Sequence, residues 1–339
     1  MTAVLGVDVG GTKIAVAPVD PTGSQLAPPL VAPSQTADRD SFLSGLEEVL
    51  RRALAEFQRF APQAIGIACA GTVDSGGTEI VSSPNLPLVH VPLKAILEEK
   101  LGIPVVLEND ANAAGLGEAV AGAAAGLKDV VMLTLGTGVG GAMLLDGRLY
   151  HGAHGGAGEL GHMVVQMGGL LCHCGNRGCL EEYASGPALT RYATALAKDR
   201  ERDPDGALHA LRERGELTGG AVTKLAQAGH LGALEAVRQL SDWLGIGLVN
   251  LTNAFDPAMI VVGGGVGELG ELLLHPAREI VRKTAMPPGR DKVQIVTATL
   301  GNEAGLVGGG LAAWQEMGAQ RAALGAPPAG PTPPAAGAL

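Results

Sequence analysis

The chain has few aromatic residues: only 3% of its 339 positions are Phe, Trp or Tyr. Stacking platforms for single-stranded nucleic acid are not built from so few rings. It also lacks a surplus of positive charge. Lys and Arg number 24 against 34 Asp and Glu, a formal net charge of -10, and no basic cluster marks any segment. Nucleic acid is therefore excluded as an expected partner. Long apolar runs are missing too. The start, MTAVLGVDVG, has no basic region and carries Asp8 where a signal peptide would be apolar, and the Ala-rich stretch NAAGLGEAVAGAAAGL is broken by Glu118. The expectation is a cytoplasmic protein that makes no use of a membrane.

What the sequence does have is glycine, 52 residues of it, and an apolar fraction of 46%. The length and apolar content suit two domains, and the glycines favour tight turns and close backbone approaches. AVLGVDVGGTKIAVAPVD reads as strand, glycine turn, strand, and DSFLSGLEEVLRRALAEF as an amphipathic helix. AIGIACAG and PVVLEND read as short buried strands, so the order is that of an α/β layered domain. DVVMLTL, GTGVGG and AMLLDGRLY repeat the strand, glycine turn, strand logic, an internal duplication. Residues 188 to 255 are mostly helical in pattern, and the charged stretch KDRERDPDG within them reads as a solvated loop or helix end. Strand, glycine loop and helix follow in AMIVVGGGVGELGELLLHPAREIVRK, then a last strand and helix. The tail at 326–339, rich in Pro, Ala and Gly, is expected to be disordered.

A glycine turn suits phosphate because bare backbone N–H groups can converge on an anion while a nearby carboxylate or hydroxyl adds a ligand or places Mg²⁺. DVGGTK supplies Asp8, Gly10, Gly11, Thr12 and Lys13. No Walker A pattern occurs, which excludes that class of phosphate loop. Two segments satisfy G-x-G-x-x-G, at Gly136, Gly138 and Gly141 and at Gly265, Gly267 and Gly270. A strand follows the first, against the context of a dinucleotide fingerprint; the second opens a helix and keeps a nicotinamide dehydrogenase as a rival reading. Three glycine loops fit one nucleotide, and ATP between two related domains is the economical expectation.

VVLENDANAAGLGEA places Asn109 and Asp110 where a buried strand meets an Ala-rich helix. A carboxylate there is held ionised by the helix dipole and can take a proton from an alcohol, although the same position suits a plain helix cap. Asn85 in SSPNLP, Glu159 and His162 in GELGH, and Glu181 and Glu182 in CLEE are the amides and carboxylates a sugar site needs if they converge. Three of the four cysteines, Cys172, Cys174 and Cys179, fall in CHCGNRGC. Their odd number and expected compartment disfavour disulfides. Three thiolates suit Zn²⁺ with one more ligand, for which His162, His173, His151, His154 and Cys69 are all candidates by spacing.

Together, DVGGTK at 8–13, ENDANAAGLGE at 108–118, LGTGVGGA at 135–142, GELGH at 158–162 and CHCGNRGCLE at 172–181 resemble the ROK family of sugar kinases and repressors, in family order, from residue 4 to about 318. The resemblance implies an α/β, actin-like and hexokinase-like (ribonuclease H-like) two-domain ATPase fold with a central cleft. Residues 1–112 with 306–325 would form the smaller domain, and 113–305 the larger one with the zinc loop. It further implies phosphorylation of glucose, the first step of glycolysis, with N-acetylmannosamine, N-acetylglucosamine, mannose or fructose as alternative acceptors, or else a sugar-binding protein without catalysis. Asp8 would lie near Mg²⁺. Gly10, Gly11, Thr12, Lys13, Thr137 and Gly138 would surround the ATP phosphates, and Gly264 and Gly265 the adenosine. Asp110 would be the general base, Asn85, Asn109, Glu159, His162 and Glu181 would hold the sugar hydroxyls, and His162, Cys172, Cys174 and Cys179 would bind a structural Zn²⁺. The family also suggests a homodimer or homotetramer. Its repressor branch carries an N-terminal DNA-binding domain, and with a first strand beginning by about residue 3 none is expected here. One departure stands out: the usual Pro-Gly after the GIG strand is Ala70-Gly71, in a loop that borders the sugar in relatives.

Overall fold

The computed structural model describes residues 2–199 and 201–323, so the tail at 326–339 lies outside the described residues. The chain divides into two compact units: residues up to Gly117 with those from Glu303 on, and Glu118–Asn302.

The first unit opens with β1 (Ala3–Val9) and β2 (Lys13–Val19), then β3 (Leu30–Pro33), α1 (Arg39–Glu56) and β4 (Pro62–Cys69). The small antiparallel strands β5 (Thr72–Val73), β6 (Ile80–Ser82) and β7 (Val89–Val91) precede α2 (Leu93–Leu101), β8 (Val105–Asn109) and α3 (Asp110–Ala121). The main sheet runs β3-β2-β1-β4-β8, with β1 antiparallel to β2 and parallel to β4, and β4 parallel to β8. Helix α1 starts where the Asp38 carboxylate accepts the Ser41 N–H at 2.8 Å. It buries Phe42, Leu46, Val49, Leu50 and Ala53, a helical stripe, against the strand residues Leu5, Val7, Ile65 and Ile67.

The second unit carries β9 (Val130–Leu135), β10 (Val139–Leu145) and β11 (Arg148–Leu149), then the helices α4 (Glu181–Ala184), α5 (Gly186–Leu196), α6 (Ala207–Glu213), α7 (Gly219–Gln227) and α8 (Leu231–Phe255). It continues with β12 (Met259–Gly263), α9 (Glu271–Thr284), α10 (Gly289–Lys292) and β13 (Gln294–Thr297). Its sheet runs β11-β10-β9-β12-β13, and each pairing has the sense of its counterpart in the first sheet. The duplication suggested by the two glycine hairpins is thus a repeat of whole-sheet topology. The long α8 is buried through Leu240, Leu244, Leu248 and Leu251 among Val131, Leu133, Ile260 and Val262 of the strands. Among the described residues, no helix is long and apolar enough to cross a membrane.

The last helix, α11 (Ala304–Ala323), returns to the first unit. Its GLVGGGLAA run, read from sequence only as part of a helix, is a close-packing surface. A Cβ on Gly308 would overlap the Ala113 carbonyl oxygen, one on Gly309 would come within 2.8 Å of the Gly66 carbonyl, and one on Gly66 would overlap the Gly309 carbonyl. The division falls at Gly117/Glu118 and Asn302/Glu303, where 112/113 and 305/306 were expected from sequence, and Ala113 of α3 lies against α11 within the first unit.

Two further features differ from the sequence reading. Glu118, expected only to interrupt an apolar stretch, is fully buried. Its carboxylate accepts Ala123 N–H (2.7 Å), Thr299 N–H (2.9 Å), Leu300 N–H (2.7 Å) and the Thr299 hydroxyl (3.2 Å), so four donors offset its desolvation. Asp203, in the stretch read as solvated, is 5% exposed. It accepts the Leu208 and His209 N–H groups at 3.0 and 2.8 Å, capping α6, and faces His230 Nε2 at 3.2 Å.

The packing of α11 makes a paired prediction. Gly308→Ala should cost about 3 kcal/mol through overpacking. Gly318→Ala, on the same helix with nothing within 4 Å of its added Cβ, should gain about 0.5–1 kcal/mol. Urea unfolding of the two variants measures both; equal effects would contradict the packing described.

Candidate functional site

In the first unit the parallel register places the reactive side chains. Asp8 lies level with Ala68 and Val9 with Cys69, and Ala68 and Cys69 lie level with Glu108 and Asn109. The carboxyl ends of β1, β4 and β8 therefore finish together, and the loops leaving them carry Gly10 to Thr12, Ala70-Gly71 and Asp110. The β1–β2 turn is closed by Gly10 N–H to the Lys13 carbonyl at 3.0 Å, and Ser34 ties it down through its hydroxyl to the Gly10 carbonyl at 2.6 Å. A Cβ on Gly11 would sit 3.2 Å from the Asn85 carbonyl oxygen, so this turn and the Asn85 loop touch.

Both residues at the head of α3, Asn109 and Asp110, meet its free N–H groups, and Asp110 Oδ1 accepts that of Ala111 at 2.9 Å. Asn109 accepts the N–H groups of Ala111 (2.9 Å) and Asn112 (3.1 Å) through its Oδ1. Its Nδ2 donates to the Gly71 carbonyl at 2.9 Å and to Asp110 Oδ1 at 3.0 Å, which fixes the Asp110 side chain. Buried Glu108 accepts Asn109 N–H at 2.9 Å and Asn112 Nδ2 at 3.0 Å behind it. Gly71 has φ +139°, and a Cβ there would lie 2.5 Å from the Ser82 carbonyl, so only glycine fits. Asp8 has its pKa raised to about 6, first by burial and then by the Asp110 charge, with Lys13 pulling the other way. Cys69 is pushed up to about 12, mainly by burial, and stays a neutral thiol in the core.

In the second unit the cysteine loop is gathered. The ligand atoms of His162, Cys172, Cys174 and Cys179 all lie within 4.8 Å of one another. Among the described residues no such cluster includes Cys69, His151 or His154, and His173 belongs to a different one with Cys172, Glu181 and Glu182. The donor set fits zinc. Zn–S bonds of about 2.3 Å at a tetrahedral centre separate two sulfurs by ~3.8 Å and a sulfur from an imidazole nitrogen by ~3.6 Å. Cys174 and Cys179 sulfurs are 3.7 Å apart, and Cys172 Sγ is 3.7 Å from His162 Nδ1. Burial pushes Cys172 up to about 12 and raises Cys179, while the Asn176 N–H holds exposed Cys174 below the ordinary thiol value. Ionising all three thiols at this spacing would need a cation among them. Gly175 (φ 89°) and Gly178 (φ 84°) turn the loop back on itself. The other ring nitrogen of His162, Nε2, faces the exposed Glu159 carboxylate at 3.8 Å.

Glu181 connects the loop to the second glycine turn. Its Oε2 accepts the Val139 N–H at 2.8 Å directly after Gly136 to Gly138, and a Cβ on Gly138 would overlap that oxygen. Its Oε1 meets His173 Nδ1 at 3.0 Å and Cys172 Sγ at 3.8 Å. The same turn opens a cavity of about 1240 Å³ within this unit. Gly136, Thr137 and Gly265 line one end, and the facing sides of α5 and α7 form its walls. Gly264 (φ 80°) brings the β12 loop hard against the Leu135 backbone, which sets Gly265 beside the turn. Sequence reasoning missed the α5 and α7 walls. Two signals were present: Ser185 with Pro187, which caps and starts α5, and TGG at 218–220, where bare Gly219 lets α7 come within contact of the Gly186 backbone.

Comparison with known proteins gives one consistent result. The ROK family model matches residues 4–316. Glucokinase from Streptomyces coelicolor is 38% identical over 314 residues, 91% of this chain and 96% of that protein. The ROK family glucokinase of Streptomyces griseus, solved with glucose and AMPPNP, superposes with TM-score 0.75 at 38% identity over 91% of this chain and 98% of that one. The ROK hexokinase of Thermus thermophilus does so with TM-score 0.75 at 37% identity, over 93% and 98%. The sheet topology present in both units is accordingly that of the actin-like, hexokinase-like ATPases, and this chain belongs to the ROK family.

Proposed function

We propose that this protein is an ATP-dependent glucokinase, transferring the γ-phosphoryl group of ATP to the 6-hydroxyl of glucose to give glucose 6-phosphate and ADP. The observation that carries the reading is the placing of Asp110: it stands at the end of β8, fixed by Asn109, and its charge acts on Asp8 beside the first glycine turn. The near full-length similarity to glucokinases, one of them solved with glucose and an ATP analogue, supports both substrates.

Each unit brings its own share of the chemistry. From the first, Asp110 takes the proton of the attacking hydroxyl, Asn109 and Asn85 hold sugar hydroxyls, and Gly10 to Lys13 receive phosphate oxygens. Asp8 is the residue that would hold Mg²⁺, which supplies neutralisation of phosphate charge in such transfers. From the second, Thr137 and Gly138 receive phosphate, the cavity reaching Gly265 takes the adenosine, and Glu159, His162 and Glu181 serve the sugar. Positioning and charge neutralisation dominate this reaction, so an ordinary carboxylate suffices as base. A structural zinc on His162, Cys172, Cys174 and Cys179 would lock the tautomer of His162 and leave Nε2 on the Glu159 side.

Three outcomes test this. Over a panel of glucose, mannose, fructose and the N-acetylhexosamines, ADP release should be fastest with glucose, and Asp110→Asn should lower kcat by about 10²–10⁴-fold; no hexose-dependent ADP release above that variant would refute the kinase. Asp8 gives a pH signature. A carboxyl raised from 3.8 to about 6 in the fold favours folding when protonated, a contribution present below the unfolded value and lost as pH rises through 6. Asp8→Asn should therefore stabilise the ligand-free protein by about 1–3 kcal/mol above pH 6 and leave it unchanged near pH 3, while removing turnover. Denaturant melts across that range read the gain. Finally, elemental analysis should find a single zinc per chain, and stripping it should lower Tm and weaken sugar binding; a metal-free protein with unchanged melting and affinity contradicts the structural role.

A further inference from the structure

Five threonines line the cavity of about 1240 Å³, and the hydroxyls of three, Thr190, Thr194 and Thr218, are committed within the protein. On α5, Thr190 donates to the Gly186 carbonyl at 3.1 Å and Thr194 to the Thr190 carbonyl at 2.7 Å, each bonding one turn back along its own helix. At the head of α7, Thr218 accepts the Ala221 N–H at 3.2 Å as the helix cap. Gln227, a turn beyond Thr223, donates to the Glu268 carbonyl at 3.1 Å. Thr223 is different. It is 5% exposed, and its hydroxyl is the only buried side-chain N or O among the described residues that has no hydrogen-bond partner. It lies on the cavity face of α7, where Gly219, Gly220, Thr223, Lys224 and Gln227 follow at helical spacing.

A buried hydroxyl without a partner is costly, and one that lines a cavity can be satisfied by a molecule bound there. The neighbouring threonines show that the local solution, a bond to the carbonyl four residues back, was available to this helix as well. Pro187, Ala195, Leu217 and Val266 give the cavity an apolar stretch that suits the faces of a purine, beside the cationic Arg191, Lys198 and Arg212 that also line it.

We propose that Thr223 is a nucleoside-binding residue, its hydroxyl forming a hydrogen bond to the adenosine part of the bound nucleotide. This rests on the kinase reading above, which assigns the cavity to ATP. The bond completes only when the nucleotide is present, so it adds to affinity for ATP and ADP and leaves the transferring phosphoryl group untouched.

Calorimetric titration with ADP, together with steady-state kinetics, tests the proposal on the full chain. Thr223→Val keeps the shape and deletes the hydroxyl; it should weaken ADP binding and raise KM for ATP by about 3–10-fold with kcat unchanged. Thr223→Ser should stay within about twofold of wild type. Ligand-free Thr223→Val should melt at or above the wild-type temperature, because an unsatisfied polar group has gone; a merely structural role would lower Tm and change kcat with KM. ADP affinity of Thr223→Val within twofold of wild type, or Thr223→Ser as weak as Thr223→Val, overturns the proposal. If wild type binds ADP but releases none from ATP with any hexose, the kinase reading fails while the Thr223 comparison still stands.

Discussion

The rest of the structure depends on the shared level at which β1, β4 and β8 end. Parallel pairing fixes Val9, Cys69 and Asn109 opposite one another, so a carboxylate one residue before the end of β1 and another one residue after the end of β8 come under each other's influence. Burial is the larger cause of the raised pKa values of Asp8 and Cys69, and this closeness adds the rest of the upward pull. A one-residue slip in either pairing would turn the side chains to the opposite face of the sheet.

Glycine makes this register tolerable to a helix. In most α/β layers a helix rests on side chains; here α11 rests on backbone, with Gly6, Gly66, Gly308, Gly309 and Gly310 bare at the contact. Gly305 brings the start of the same helix to Asp8, where a Cβ would lie 3.2 Å from its carboxylate oxygen. A segment almost 300 residues away in sequence thus forms part of the surroundings of Asp8. The second sheet repeats the topology with a different elaboration: its glycine turn is backed by the Glu181 carboxylate, which also touches the cysteine loop. The loop and the turn are thus linked through one side chain.

Much of this was legible in the sequence because the signals are local. Strand, glycine turn and strand at 3–19 and at 130–145 announce their hairpins, and CHCGNRGC at its spacing announces a tight ligand loop. Less legible were Asp203 and Glu118. Charge alone marks both as solvated, yet each is buried against backbone N–H groups, Asp203 capping the helix that follows it and Glu118 meeting a segment about 180 residues later. Nothing in a linear pattern distinguishes a carboxylate facing water from one facing four donors.

By itself the sequence determined the element types, the glycine turns, the candidate acid at Asp110 and the cysteine cluster, since each follows from composition and spacing within a dozen residues. Only the tertiary structure brings His162 within reach of the three cysteines, lets Asn109 accept two N–H groups at the head of α3, sets Glu181 behind the second glycine turn, and buries the Thr223 hydroxyl without a partner. Those are statements about which groups meet across the fold. They are fixed by strand register and helix packing, and register and packing are properties of the whole chain rather than of any stretch of it.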